Sequence, residues 1–205
     1  MTYYSLSGQD KWVLETLNFK TNGFFVDLGS GNGIKYSNTY ILETEYQWTG
    51  ICVDVNKDKF KELEINRTSI NINNAIYNYD GTCLIDDDGK INDMSGTTVN
   101  CNTFDNIIMN SGNNDIIDYV SINVGGKELD VIKNIDFEKN QIVLMSIQQN
   151  QYKVQYNNID PIFYHMLDNG FNAFIVGVLG EDPSDYLRYK QPYENWYYNK
   201  KYINI

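Results

Sequence analysis

Basic residues are scarce: 16 Lys and Arg stand against 27 Asp and Glu, a formal net charge of −11. Phosphate backbones and anionic lipid headgroups are repelled by such a chain, which excludes nucleic acid and the membrane surface as main partners. A local basic pocket for a small anion stays open. Histidine occurs once, at His165 in FYHMLDNG, and a mid-helix setting makes it a surface or partly packed residue rather than a general base. Cysteine occurs three times, at Cys52, Cys83 and Cys101, with no CxxC pair, and Cys52 lies inside an apolar run. Packing in a reducing compartment accounts for these better than a disulfide framework. No apolar run approaches the length of a membrane-spanning helix. The opening MTYYSLSGQDKW lacks the basic and apolar regions of a secretion signal. The expectation is a soluble, cytoplasmic protein.

What is present suits one domain over residues 1–205, with 42% hydrophobic and 14% aromatic residues. Short apolar runs ending in glycine or aspartate alternate with helical patterns. GFFVDLGSGNG and TGICVDVN read as buried parallel strands, SININNAIYN as a third strand, IDYVSINV as a fourth and QIVLMSIQQN as a fifth. Between them, WVLETL, SNTYILETEYQW, KDKFKELEINR and KELDVIKNI read as helices, with Ser7 or Asp10 capping the first and Ser37 the second. DPIFYHMLDNGF predicts a further helix, with Asp160 as cap, Pro161 at the first turn and Gly170 past the end; NAFIVGVLG follows as a late strand. Residues 80–103 are Gly-, Asp- and Thr-rich and predict a hairpin or loop insertion. The Tyr-rich stretch 183–205 reads first as a terminal segment docked on the core, with sugar stacking or a homodimer contact as alternatives. Strands alternating with helices predict an α/β fold with a mostly parallel, doubly wound sheet.

The first strand runs into VDLGSGNG, with Asp27 at its end and glycines at 29, 31 and 33. A dinucleotide fingerprint needs glycine where Ile34 stands, and a phosphate-binding GK[ST] ending is absent. What remains is the acid-x-Gly-x-Gly-x-Gly pattern that suits S-adenosylmethionine (SAM). That cofactor has no phosphate to cradle, and glycines let the backbone approach its amino acid and ribose. Asp54 closes the second strand, where a carboxylate accepts hydrogen bonds from two ribose hydroxyls. The plainer alternative is a tight strand-to-helix turn, with Asp54 capping the next helix.

These segments, taken in order, resemble the FkbM family of SAM-dependent O-methyltransferases. YSLSGQDKWVL is similar to the family's YSQxGxD opening and FFVDLGSGNG to FVDVGANDG. WTGICVDVNKDKFKELEINR is similar to WkGixiEPnpxxfxxLxxNR, and NAIYNYDG to AAisxxdG. TFDNII, IDYVSINVGGKELDVIKNIDF and SIQQN resemble TLDdll, idflxiDvEGaExxvLkGidf and xiExN. The resemblance implies a Rossmann-like methyltransferase fold and methyl transfer to a hydroxyl of a sugar, glycan or small molecule. It also implies that Asp27, Gly29, Ser30, Gly31, Asn32 and Gly33 surround the cofactor's amino acid. Asp54 would hold its ribose, Asn74 and Ala75 would lie along its adenine, and Val55 would be a further cofactor-binding residue.

The departures gather at the acceptor end. Asn123 stands for the Asp of DvEG, Gly125 for its Glu, and Gln148 for the Glu of xiExN; Leu6 and Asn32 are further exchanges. Neither amide takes a proton at useful pH, whereas a positioned base contributes roughly 10²–10⁴-fold. Asn123, Lys127, Glu128 and Gln148 are the candidates for positioning an acceptor, and Glu128 has an equal claim as a helix-stabilising acid. With three carboxylates replaced by neutral groups, no metal site is expected. Two readings remain open: an active O-methyltransferase, or a catalytically impaired relative that binds SAM, its demethylated product or a partner as a structural or regulatory subunit.

Overall fold

The computed structural model describes residues 2–113, 115–149, 161–178 and 194–203. Element order is α1 (Gln9–Thr16), β1 (Phe24–Leu28), α2 (Tyr40–Tyr46), β2 (Thr49–Val53), α3 (Lys57–Asn66), β3 (Ile70–Ile72), β4 (Ala75–Ile76), β5 (Gly81–Ile85) and β6 (Thr97–Asn102). Then follow α4 (Phe104–Ser111), β7 (Ile117–Ile122), α5 (Glu128–Ile132), β8 (Ile142–Gln148), α6 (Pro161–Asp168), β9 (Phe171–Val178) and β10 (Glu194–Asn199). A seven-stranded sheet has the order β3-β2-β1-β7-β8-β10-β9. Its β3, β2, β1, β7 and β8 are parallel neighbours, and β10 runs antiparallel between β8 and β9. The chain winds outward from β1 to β3, then returns to lay β7 on the other side of β1. The β1/β7 boundary is therefore the topological switch point, where open α/β sheets place their ligands.

The central strands are buried on both faces, which is why they read as continuous apolar runs. One face packs Val26, Leu28, Val53, Val120 and Ile122 against Phe104, Ile107, Val131, Ile132 and Met166 from α4, α5 and α6. The other packs Phe25, Cys52, Tyr119 and Leu144 against Trp12, Leu14, Ile41, Leu42 and Leu63 from α1, α2 and α3. Among the described residues no helix is long and apolar enough to cross a membrane.

Several local expectations change. SININNAIYN is two strands in two sheets: β3 pairs with β2, while β4 pairs with β6 in a separate three-stranded sheet, β4-β6-β5. The Asn73-Asn74 step between them lets the chain leave one sheet for the other. Residues Gly81–Ile85 and Thr97–Asn102 pair antiparallel as a hairpin. Neither Ser7 nor Asp10 caps α1, whose N-cap is Gly8. Asp10 instead accepts from the Tyr4 and Ser5 amides and the Ser5 hydroxyl, holding the N-terminal strand of chain down. Ser37 precedes the cap of α2, Thr39, and accepts from the amides of Thr39 and Tyr40. The C-terminal stretch goes further than docking: β10 is an interior strand with Trp196 and Tyr197 buried. Asp160, Tyr186, Tyr189 and Tyr193 lie outside the described residues.

Candidate functional site

The three loop glycines do three different jobs. Gly29 (φ 87°) has its Cβ direction aimed at the carbonyl oxygen of Asn123, so only glycine lets the ends of β1 and β7 approach this closely. Gly33 seats the loop on α3: a Cβ there would stand 2.7 Å from Arg67 Cγ and 2.8 Å from Leu63 Cδ1. Gly31 (φ 61°) faces open space, with no atom within 4 Å of a Cβ built on it. The amides of Gly29 and Ser30 both donate to the Val53 carbonyl (2.8 and 3.0 Å), as does the Ser30 hydroxyl (3.2 Å), which ties the loop to the end of β2. Asn32 braces the loop from within, accepting from the Ile34 and Lys35 amides and donating to Glu62 at 2.9 Å.

Beneath the loop runs a buried polar chain. Thr39 Oγ1 donates to Asp27 at 2.7 Å and accepts from Arg67 Nη2 at 3.1 Å, and Arg67 Nε pairs with Glu43 at 2.7 Å. Burial pushes the Asp27 carboxyl above its ordinary range, against the pull of Thr39 and Arg67. Asp27 therefore supports the loop from below.

A cavity of about 210 Å³ opens at the ends of β1, β2 and β7. It brings together Gly29, Gly31, Asp54, Val55, Asn74, Ala75, Asn123 and Gly125 from the sequence-predicted positions. Asp54 is 8% exposed and accepts one backbone bond on each oxygen, from Gly31 and from Asn56, both at 2.8 Å. Burial raises its pKa, and the two backbone donors counter that shift. Asp27, Ser30, Asn32 and Gly33 do not line the cavity; they build the loop that does.

Sequence reading missed Asn56, Lys59 and Val124, and above all the hairpin tip, Asp88 to Ile91, which forms one wall. The tip is set by an Asx turn: Asp86 Oδ1 accepts from the amides of Asp88 and Lys90 at 3.0 and 2.9 Å. That turn is legible in DDDGK, but its position over the cavity is a long-range fact. Gly125 (φ 73°) faces the tip, and a Cβ on it would stand 2.8 Å from Lys90 Cγ. The stem of Lys90 thus fills the space beside Gly125.

The four acceptor-side candidates separate. Asn123 lines the cavity, its amide held by the Leu28 carbonyl at 2.8 Å. Lys127 lies outside the lining, 3.6 Å from Asp93 and 5.3 Å over the Tyr77 ring. Burial lowers its pKa, but Tyr77 and Asp93 outweigh that and leave it raised. Glu128 is buried and turned inward: its Oε1 accepts from the amides of Val124 and Gly126, both at 3.1 Å, closing the turn before α5. Gln148 is 6% exposed, and its Oε1 has no hydrogen-bond partner among the described residues. His165 contacts the Ile132 carbonyl at 3.2 Å, away from the cavity. No cluster of three His, Cys, Asp or Glu able to hold a metal occurs among the described residues.

Residues 27–173 match the family model described as the methyltransferase FkbM domain. Among solved structures, a METTL16 methyltransferase domain superposes with a TM-score of 0.54 at 12% identity, over 93% of this chain and 65% of its own. Magnesium protoporphyrin IX methyltransferase (ChlM) from Synechocystis PCC 6803, crystallised with bound SAM, gives 0.52 at 10% identity, over 93% of this chain and 76% of its own. Precorrin-6y C5,15-methyltransferase from Geobacter metallireducens GS-15 gives 0.50 at 11% identity, over 93% and 87%. The chain spans about two thirds of the length of the first of these. At such identities the likeness concerns the fold. No curated protein sequence is significantly similar to the chain.

Proposed function

We propose that this chain, which belongs to the FkbM methyltransferase family, binds SAM in the cavity at the β1/β7 switch point and directs its methyl group to a hydroxyl of a sugar or small molecule. SAM supplies an electrophilic methyl on a sulfonium; the chain's own residues supply the rest.

The observation that carries the reading is the convergence of Gly31, Asp54 and Asn123 on one cavity. The lining fits the cofactor's chemistry. Gly31 leaves open space where a side chain would stand. Among the described residues Asp54 accepts one bond per oxygen, which leaves acceptor capacity for a pair of ribose hydroxyls. Val55, Ile76 and Ile91 offer an apolar wall for a purine.

At the open end, Asn123 orients an incoming hydroxyl by donating or accepting a hydrogen bond, but does not take its proton. Alignment alone is a large effect, since well-oriented reactants reach effective molarities of about 10⁵–10⁸ M.

The test is isothermal titration with SAM and with S-adenosylhomocysteine. Saturable binding of both supports the reading; absence of both removes it. A second reading, cofactor binding without transfer, is favoured by the neutral Asn123 and Gln148. Radiolabelled methyl transfer to a panel of sugars and alcohols separates the two.

A further inference from the structure

Asn74 lines the cavity beside Ala75 and Ile76, on the wall that offers apolar contact to a purine. Its side-chain nitrogen does not serve the cavity. Nδ2 donates to Oδ1 of Asn102, which ends β6 and is not part of the lining. Strand pairing fixes this approach: Ile76 of β4 stands opposite Asn102, and the Tyr77 amide donates to the Asn102 carbonyl at 3.0 Å. Oδ1 of Asn74 accepts no hydrogen bond among the described residues. The atom that Asn74 has left for the cavity is therefore its oxygen.

The polarity of this amide is set by chemistry at the far end of the chain of contacts. An amide presents N–H donors on one side and an oxygen on the other, and its partners decide which way it turns. Asn102 Nδ2 faces two oxygens, Oδ1 of Asp80 at 3.4 Å and Oδ1 of Asn106 at 3.2 Å. A carboxylate only accepts, so turning Asn102 over would set its oxygen against that of Asp80. Asp80 is itself held in place by the Thr103 amide at 2.8 Å and the Thr103 hydroxyl at 3.3 Å. Asn106 Oδ1 also accepts from Asn110 Nδ2 at 2.8 Å, which keeps that oxygen turned toward donors. Each step thus dictates the next, from Asp80 to Asn102 and from Asn102 to Asn74.

We propose that Asp80, acting through Asn102, positions Asn74 to present a hydrogen-bond acceptor in the base pocket, and that this makes the chain specific for a cofactor built on a 6-aminopurine. The proposal rests on the SAM-binding reading and deepens it. Asn74 is the group that reads the base; Asp80 and Asn102 are positioning residues.

The exocyclic amine of adenine donates, whereas the oxygen at the same place in a 6-oxopurine only accepts. Against Asn74 Oδ1 the first finds a partner, and the second leaves two oxygens facing each other. A polar group shut away from water without a partner loses its full solvation, roughly a tenfold to hundredfold effect on affinity.

The experiment compares S-adenosylhomocysteine with its deaminated analogue, S-inosylhomocysteine, which differs from it only at the base. Calorimetry on the unaltered protein is expected to show the first binding about tenfold to a hundredfold more tightly. Asn102→Leu frees the Asn74 amide to turn over, and Asp80→Asn offers Asn102 a partner that donates as well as accepts. In both variants the ratio of affinities should fall by most of that factor. A purely structural role would weaken both ligands together and leave the ratio where it was. Comparable affinities in the unaltered protein overturn the proposal, and so does a ratio preserved in either variant. Asp80 is exposed, so Asp80→Asn decides the matter should Asn102→Leu fail to fold. Absence of binding by S-adenosylhomocysteine overturns the SAM reading itself, a distinguishable failure that takes the proposal with it.

Discussion

Gly125 and Lys90 share one volume: a Cβ on the first would stand 2.8 Å from Cγ of the second. The space beside position 125 is therefore taken by the stem of Lys90 from the hairpin tip. Gly125→Glu does not simply restore a carboxylate. It places a side chain at φ 73° and displaces Lys90. The left-handed backbone alone costs about 1–2 kcal/mol. Denaturant unfolding should show a loss at least that large, and the Lys90→Ala background should recover the part due to contact. Equal losses in both backgrounds would mean that the two side chains do not compete.

Gly29→Ala should be the most damaging of the loop substitutions, since the new methyl runs into the Asn123 carbonyl, which is backbone and cannot swing away. A left-handed φ adds about 1–2 kcal/mol to that clash. Thermal melting and S-adenosylhomocysteine titration should both report the damage. Gly31→Ala meets no neighbour and should lose affinity with a smaller loss of stability.

Asp54→Ala should weaken S-adenosylhomocysteine binding by about 3–6 kcal/mol if two charge-assisted bonds of about 1.5–3 kcal/mol each are lost. Because burial raises the Asp54 pKa, affinity in the unaltered protein should begin to fall on acidification above the ordinary aspartate range. Calorimetry across pH 4–7 checks the sign; affinity independent of pH there would remove Asp54 from the site.

The Arg67–Glu43 pair anchors the loop, with the Arg67 side chain wholly buried and Glu43 at 8% exposure. Burial alone would raise the Glu43 pKa, but Arg67 and the Thr68 donors outweigh it and hold it below the usual value. A depressed folded-state pKa contributes stability above the unfolded value of about 4.3, lost as pH falls through the folded one. Chemical denaturation at pH 7 and pH 3.5 should show this loss, and Glu43→Gln should flatten it. The same variant strands a buried guanidinium and should cost about 3–5 kcal/mol at pH 7.

Much of the fold was legible because its signals are local. FFVDL and IDYVSI are apolar runs too short for helices and bounded by turn residues. Pro161 and Gly170 bracket α6 as their backbone preferences require. Helix α4 is not legible in the sequence: its polar Asn106 and Asn110 obscure a face of Phe104, Ile107 and Ile108 that only packing reveals. The cofactor half of the site was legible in VDLGSGNG and Asp54, although Asp27 and Gly33 turn out to support the loop rather than line the cavity.

What the sequence determined by itself is the sheet-forming runs, the glycines that permit the loop, and the neutrality of positions 123, 125 and 148. These follow from residue type and backbone preference over a few neighbours. Tertiary structure alone decided that the hairpin tip walls the cavity, that Lys90 occupies the space beside Gly125, and that Glu194 stands opposite Gln148. The physical reason is separation: Lys90 and Gly125 are 35 positions apart and Gln148 and Glu194 are 46, and strand register is set by how the whole sheet buries its two faces.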